Sequence, residues 1–237
     1  MTRAPTIVFG VVVALAASAP ARADIILIPG NHPQPNEANV LFSQGDFSLP
    51  APLGAALPPP LGVVGATNTV PPVSVLLSST QSLFVQGVVQ NLIIATSVPG
   101  DATTQVGFTD FALGLPVGNA AQDVIFDANL TRGGGLPGTG GTATITVFES
   151  NGTSATFNDV AIGNGPNFLT LVASGGQDIQ RVTFAMASGE SFTQLQQIRV
   201  SGVAGVSLVP EPSSALMMAL AVPALAGFYW RRRRSAA

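Results

Sequence analysis

From residue 80 to residue 208, apolar and polar positions alternate in short runs separated by glycine-containing turns. The clearest run is Thr142-Ala143-Thr144-Ile145-Thr146-Val147, with threonines on one parity and apolar residues on the other. A period of two sends successive side chains to opposite faces of a strand, so this run predicts one wet and one buried face. Threonine and valine reinforce it, because a branched Cβ suits an extended backbone. Read along the chain, the pattern predicts strands at 24–29, 82–85, 88–95, 104–111, 123–130, 142–149, 154–157, 168–172, 179–185 and 197–203. Asn151-Gly152 lies between two of these runs and signals a hairpin, since tight hairpin turns need residues that accept positive φ. Gly133-Gly134-Gly135, Gly138, Gly140 and Gly141 predict a mobile loop ahead of the 142 strand.

The pattern breaks down before residue 80. Nine of the nineteen prolines lie between Pro33 and Pro72, including Pro58-Pro59-Pro60 and Pro71-Pro72. Proline lacks a backbone donor, so this density argues against helix and central strands there. Residues 24–79 are therefore expected to be an irregular or edge segment with one short strand, anchored by Val40-Leu41-Phe42 and Phe47. The fold class that follows is mainly β, an antiparallel β-sandwich over 80–208, because many short strands recur about every ten residues. A β-solenoid is the alternative, but no fixed-period repeat supports it.

Both ends of the chain carry uninterrupted apolar runs. At the start, Arg3 precedes an apolar stretch from Ile7 to Ala17, and Ala21-Arg22-Ala23 presents small residues in an A-x-A arrangement. That is the layout of a secretory signal peptide, residues 1–23, with signal peptidase leaving Asp24 as the new N-terminus. At the other end, residues 213–230 carry no charge and are followed by Arg231, Arg232, Arg233 and Arg234. Eighteen helical residues rise roughly 27 Å, close to the ~30 Å hydrocarbon core of a bilayer. The run therefore predicts one C-terminal transmembrane helix. It tolerates Pro223, places Tyr229 and Trp230 at the interface, and keeps the arginines on the cytoplasmic side.

Charge sharpens this division. The chain contains nine arginines, no lysine and twelve acids, for a net charge of −3. All twelve acids lie between Asp24 and Glu211, where Arg132, Arg181 and Arg199 are the only basic residues, so the exported part carries −9. Phosphate backbones would repel such a body, which argues against nucleic acid as a partner. There are no cysteines, so stability cannot come from disulfides.

The tail also holds a short signature, Val209-Pro210-Glu211-Pro212. Together with the apolar run and the arginine cluster, it resembles the PEP-CTERM sorting signal of Gram-negative bacteria, over residues 209–237. The resemblance implies export and processing at this tail by an exosortase, a membrane-embedded, transpeptidase-like cysteine enzyme. It also implies a cell-surface or extracellular destination in hosts that commonly make polysaccharide and biofilm material. Pro210, Glu211 and Pro212 match the signature, and Arg231 to Arg234 match its basic terminator. The two prolines would hold the segment extended. The resemblance implies sorting and leaves the chemistry of the body unassigned.

Nothing in the body assembles into a catalytic constellation. His32 is the single histidine and sits in the proline-rich segment, without a G-x-S-x-G context around any serine. It reads as an exposed loop residue. Asp123 and Asp127 share a strand face roughly 13 Å apart, wider than the ~5–9.5 Å of a glycosidase pair. Along with Asp110 and Asp159 they read as scattered surface carboxylates. Calcium binding is the more reasonable use of such oxygen-rich loops, yet no D-x-D-x-D-G loop is present. The metal ligands stay unassigned and no cofactor is expected. Tyr229 and Trp230 leave the body only phenylalanines, of which Phe126, Phe148 and Phe184 read as core rather than as a sugar platform. The function that follows is a non-enzymatic exported surface or matrix protein. A polysaccharide-binding module, with or without calcium, and a carboxylate hydrolase are the alternatives.

Overall fold

A computed structural model describes residues 24–51, 62–87, 92–130 and 139–205. In chain order the strands are β1 (Asp24–Pro29), β2 (Ala38–Leu41), β3 (Phe47–Ser48), β4 (Val63–Thr67), β5 (Ser74–Ser78), β6 (Ser82–Gly87) and β7 (Leu92–Thr96). After a 3-10 turn (Ala102–Thr104) come β8 (Gln105–Val106), β9 (Asp110–Gly114), β10 (Asn119–Ala120) and β11 (Asp123–Asn129). The series ends with β12 (Gly141–Glu149), β13 (Ser154–Ile162), β14 (Phe168–Ser174), β15 (Ile179–Met186), β16 (Gln194–Ser201) and β17 (Ala204–Gly205).

Eleven of these strands form one antiparallel path, β1-β14-β11-β16-β2-β4-β5-β9-β15-β12-β13. The short β2 makes the path continuous. Its Ala38 and Asn39 pair with Val200 and Arg199 of β16, while Val40 and Leu41 pair with Thr67 and Ala66 of β4. Four residues thus serve two runs of strands, which curve into a near-closed barrel with β1 and β13 at its two ends. β3, β6, β7 and β8 branch from the path where Ile93 of β7 meets Leu195 of β16. The expectation of antiparallel β-structure holds. The two runs are joined into one hydrogen-bonded path through β2.

The proline-rich segment departs most from expectation. β2, β4 and β5 lie within the path, not at its edge. Its prolines lie largely outside the strands: Pro71 and Pro72 fall in the β4–β5 connection, and the Pro58 triplet lies outside the described residues. The strand expected at 104–111 is split, with Phe108 bridging Phe192 between β8 and β9. Predicted runs at 123–130, 142–149 and 179–185 sit on β11, β12 and β15 within a residue or so. The Asn151-Gly152 hairpin is present: Gly152 has φ +86° and donates its N–H to the Glu149 carbonyl at 3.1 Å. Of the loop expected from Gly133 to Gly141, residues up to 138 lie outside the described residues, whereas Gly140 bridges Ser191 and Gly141 opens β12.

Inward-facing residues of the two runs meet in one core. Phe108, Phe111, Phe126, Phe184 and Phe192 are fully buried. Phe111 of β9 stacks on Phe184 of β15 at 5.0 Å and meets Phe126 of β11 edge-on at 5.2 Å. Phe108 stacks on Phe192 at 4.7 Å. Each such ring contributes about 1.5–3 kcal/mol by leaving water. Phe148 does not join them. It shares the parity of the outward threonines on β12, and the Arg181 guanidinium lies over its ring at 3.9 Å. The alternation itself places Phe148 outside, so its assignment to the core from apolarity alone is corrected.

Candidate functional site

Four acids of the body are buried: Asp110, Asp123, Asp127 and Glu149. The expectation of surface carboxylates fails for the three aspartates and holds for Asp159, which is exposed. A buried carboxylate must be held by donors or it neutralises itself, and each one here has its own set. Asp110 Oδ1 accepts from the Thr80 backbone N–H at 2.7 Å and the Ser79 hydroxyl at 3.0 Å. Its Oδ2 accepts from the Thr109 hydroxyl at 3.1 Å and from the Thr80 hydroxyl. Ser79 and Thr80 follow β5, which pairs beside β9, so the sheet register delivers these donors to Asp110.

Asp123 and Asp127 occupy the face of β11 opposite the core residues Val124 and Phe126. Asp123 accepts from the Ser201 hydroxyl, its cross-strand partner on β16. Asp127 accepts from the Asn167 backbone N–H at 2.7 Å and, more weakly, from Asn129 Nδ2 at 3.4 Å. Burial pushes both carboxyls above the ordinary aspartate value of 3.8; hydrogen bonds oppose this, and the Glu37 charge adds to the rise at Asp123. The two aspartates face separate partners at opposite ends of β11. They form no acid/base pair, and Asp110 and Asp159 do not join them.

The outer face of this sheet is covered by the chain between β1 and β2. Thr170 of β14 donates its hydroxyl to the Gly30 carbonyl at 2.9 Å and accepts the His32 backbone N–H at 3.2 Å. Arg199 of β16 reaches Glu37 at 2.7 Å and Asn31 at 2.6 Å. A strap over residues 30–37 is thereby tied down, and Ile125 beneath it is buried. His32 is exposed, with ring Nε2 3.1 Å from the Pro29 carbonyl. It sits on the strap and faces no serine–aspartate pair. Among the described residues, no group of three or more His, Asp or Glu residues is placed to hold a metal ion.

The chain leaves the barrel through β17, whose Gly205 and Ala204 pair with Asn119 and Ala120 of β10. Val209 follows four residues later. The sorting residues Val209, Pro210, Glu211 and Pro212, the 213–230 run, Arg231 to Arg234, and the Ala21 and Ala23 cleavage positions all lie outside the described residues. Among the described residues no helix is long and apolar enough to cross a membrane. The body is thus a near-closed antiparallel β-barrel whose buried acids serve as internal hydrogen-bond acceptors. Comparison with protein families then matches residues 208–234 to the PEP-CTERM protein-sorting motif. That match takes in the Pro210-Glu211-Pro212 signature and all four terminal arginines, so the tail carries the sorting motif of the PEP-CTERM class. No curated protein and no solved structure matches the chain. The motif supports an exported or surface protein that is processed at its C-terminal sorting signal.

Proposed function

We propose that the chain is delivered through the cytoplasmic membrane, held there transiently by its tail, and then processed to a surface or extracellular-matrix form. The observation that carries this reading is the PEP-CTERM motif at 208–234. Signal peptidase cuts after Ala23, leaving Asp24 first. Residues 213–230 span the membrane with Arg231 to Arg234 inside, and an exosortase acts at Val209-Pro210-Glu211-Pro212. The chain divides at residues 23 and 208 into signal peptide, body and sorting signal. Within the body we read the barrel as flattened, two walls facing across the core in the manner of a sandwich. The contact of Phe111 and Phe184 with Phe126 across the core supports that description.

The role needs no turnover. Asp110 and Asp127 each accept a backbone N–H from a neighbouring segment, and the chain has no cysteine to serve as a thiol nucleophile. Intact-mass spectrometry of surface material from the native host tests the proposal. The expected species starts at Asp24 and lacks Arg231 to Arg234. An intact arginine tail on the surface form overturns it.

A further inference from the structure

One end of the barrel gathers features that the sorting tail alone does not explain. β1 begins there, because Asp24 pairs with Ser174 at the end of β14. β16 ends there, since Ser201 pairs with Asp123 at the start of β11. The β17–β10 pair follows directly, so the chain enters the body at Asp24 and leaves it at Gly205 on the same end. The β12–β13 hairpin and the β14–β15 turn lie at this end, since Glu149 pairs with Ile179 and Ser174 with Asp24, and two further connections project from it. The β4–β5 hairpin carries Asn68 to Pro72, and the β9–β10 loop carries Pro116 and Val117. Gly114, ahead of that loop, pairs with Leu76 of β5, which sets the two tips side by side.

Both tips are uncharged and apolar at their crests. Val70 is 99% exposed and Val117 is 90% exposed, the two most exposed large hydrophobic residues described. Isolated exposed apolar residues need no explanation. These two crown neighbouring loops on the end from which the tail departs. Phe47 and Val98, at the opposite end, are only 46% and 49% exposed. Seven residues, 206–212, separate Gly205 from the 213–230 run. Fully extended they span roughly 25 Å, so a chain whose tail is in the bilayer keeps this end within that distance of the lipid. Tethering at such range raises the effective concentration of the tips at the surface, and small apolar insertions then suffice for contact.

We propose that this end is a membrane-docking surface, with Val70 and Val117 entering the lipid interface while the tail is still inserted. The inference rests on the reading of 213–230 as a transient span. Docking would orient the barrel over the bilayer and hold Val209-Pro210-Glu211-Pro212 between body and membrane, where a membrane-embedded processing enzyme works.

The chain has no cysteine, so single labels are unique. The full-length protein is reconstituted in phosphatidylcholine vesicles, with an environment-sensitive dye on Val70→Cys, Val117→Cys or, as a control on the exposed turn after β15, Ser188→Cys. Brominated lipid is expected to quench the dye at 70 and 117 and to leave 188 bright. Solvent-like emission at all three positions overturns the proposal. With the dye on Thr69→Cys, the Val70→Ser/Val117→Ser pair is expected to abolish quenching; quenching that survives assigns contact to the dye and also overturns it. Burial that grows with protein density and ignores brominated lipid would mean that a second copy covers the tips, with the same consequence. Trp230, the single tryptophan, reports separately on the tail. If Trp230 is quenched while the tips are not, docking alone fails; if the chain does not float with vesicles, docking and transient span fail together.

Discussion

Replacing Asp110 by alanine tests whether the buried acids are structural. The substitution removes an acceptor that takes the Thr80 N–H at 2.7 Å and the hydroxyls of Ser79, Thr109 and Thr80. The hydroxyls differ from the amide in what they can do afterwards. Ser79 Oγ keeps the Asp110 backbone carbonyl at 2.8 Å, and Thr109 Oγ1 keeps Gln81 Oε1 at 3.1 Å. The Thr80 N–H has no such second partner and cannot rotate. Thr80 is itself exposed, so its freed N–H can take water, and the loss is that of a hydrogen bond to a charged group, about 1.5–3 kcal/mol. Asp110→Ala is therefore expected to lose about 1.5–3 kcal/mol of a typical total near 5–15 kcal/mol. Asp110→Asn keeps one acceptor oxygen for Thr80 and should lose less than half as much. Urea titration followed by far-ultraviolet circular dichroism measures both. Tryptophan emission cannot, because Trp230 lies in the tail. With a slope of about 1–3 kcal/mol/M, the alanine midpoint falls by roughly 1–2 M at unchanged slope. A midpoint at or above that of the parent protein would refute the structural reading, and would mark Asp110 as an acid retained at the expense of stability.

Asp123 and Asp127 predict a pH dependence opposite in sign to that of a salt-bridged aspartate. Their folded pKa values lie above 3.8, so as pH rises through the window from 3.8 to the raised values, the unfolded chain releases protons that the folded chain still holds. Stability from these groups falls across that window and is flat above it. Asp127→Asn should flatten the slope relative to the parent protein, and an unchanged difference curve from pH 3.5 to 7, in roughly half-unit steps, counts against burial as the cause. Arg199→Ala should free the 30–37 strap, since it cuts the 2.7 Å Glu37 contact and the 2.6 Å Asn31 contact, both on a partly buried arginine. Limited proteolysis would then cut between Gly30 and Glu37 well before the rest of the barrel, and equal resistance would contradict the strap. Phe184→Ala removes a fully buried ring in contact with Phe111, Phe126 and Phe192 and should cost about 3–5 kcal/mol by chemical denaturation.

Local pattern made much of the β-structure legible. The alternation at 142–147 fixes the faces of β12, and even Phe148 obeys it once parity is preferred to hydrophobicity. The hairpin at Asn151-Gly152 was readable for the same reason, because its turn chemistry is contained in a few neighbouring residues. Proline density was a poorer guide. It marks connections correctly, yet β2, β4 and β5 occupy the gaps between prolines and lie inside the strand path.

The buried acids show where local reading stops. Alternation puts Asp123, Ile125 and Asp127 on the face away from the core, which ordinarily means solvent. What crosses that face comes from elsewhere in the chain: Asn31 and Glu37 tied by Arg199, Gly30 and His32 tied by Thr170, and, against Asp127, Asn167. Long-range closure of this kind has no signature at the position being buried.

By itself the sequence determined the parity of the strands, the hairpin turn, the charge of the body and the sorting tail. Each of these depends on neighbouring residues or on simple sums along the chain. Tertiary structure alone decided that β2 joins two runs into one barrel, that four acids are enclosed with their donors, and that Asp24 and Gly205 lie at the barrel end that carries Val70 and Val117. Those outcomes depend on strand order and register, which bring distant residues within bonding distance.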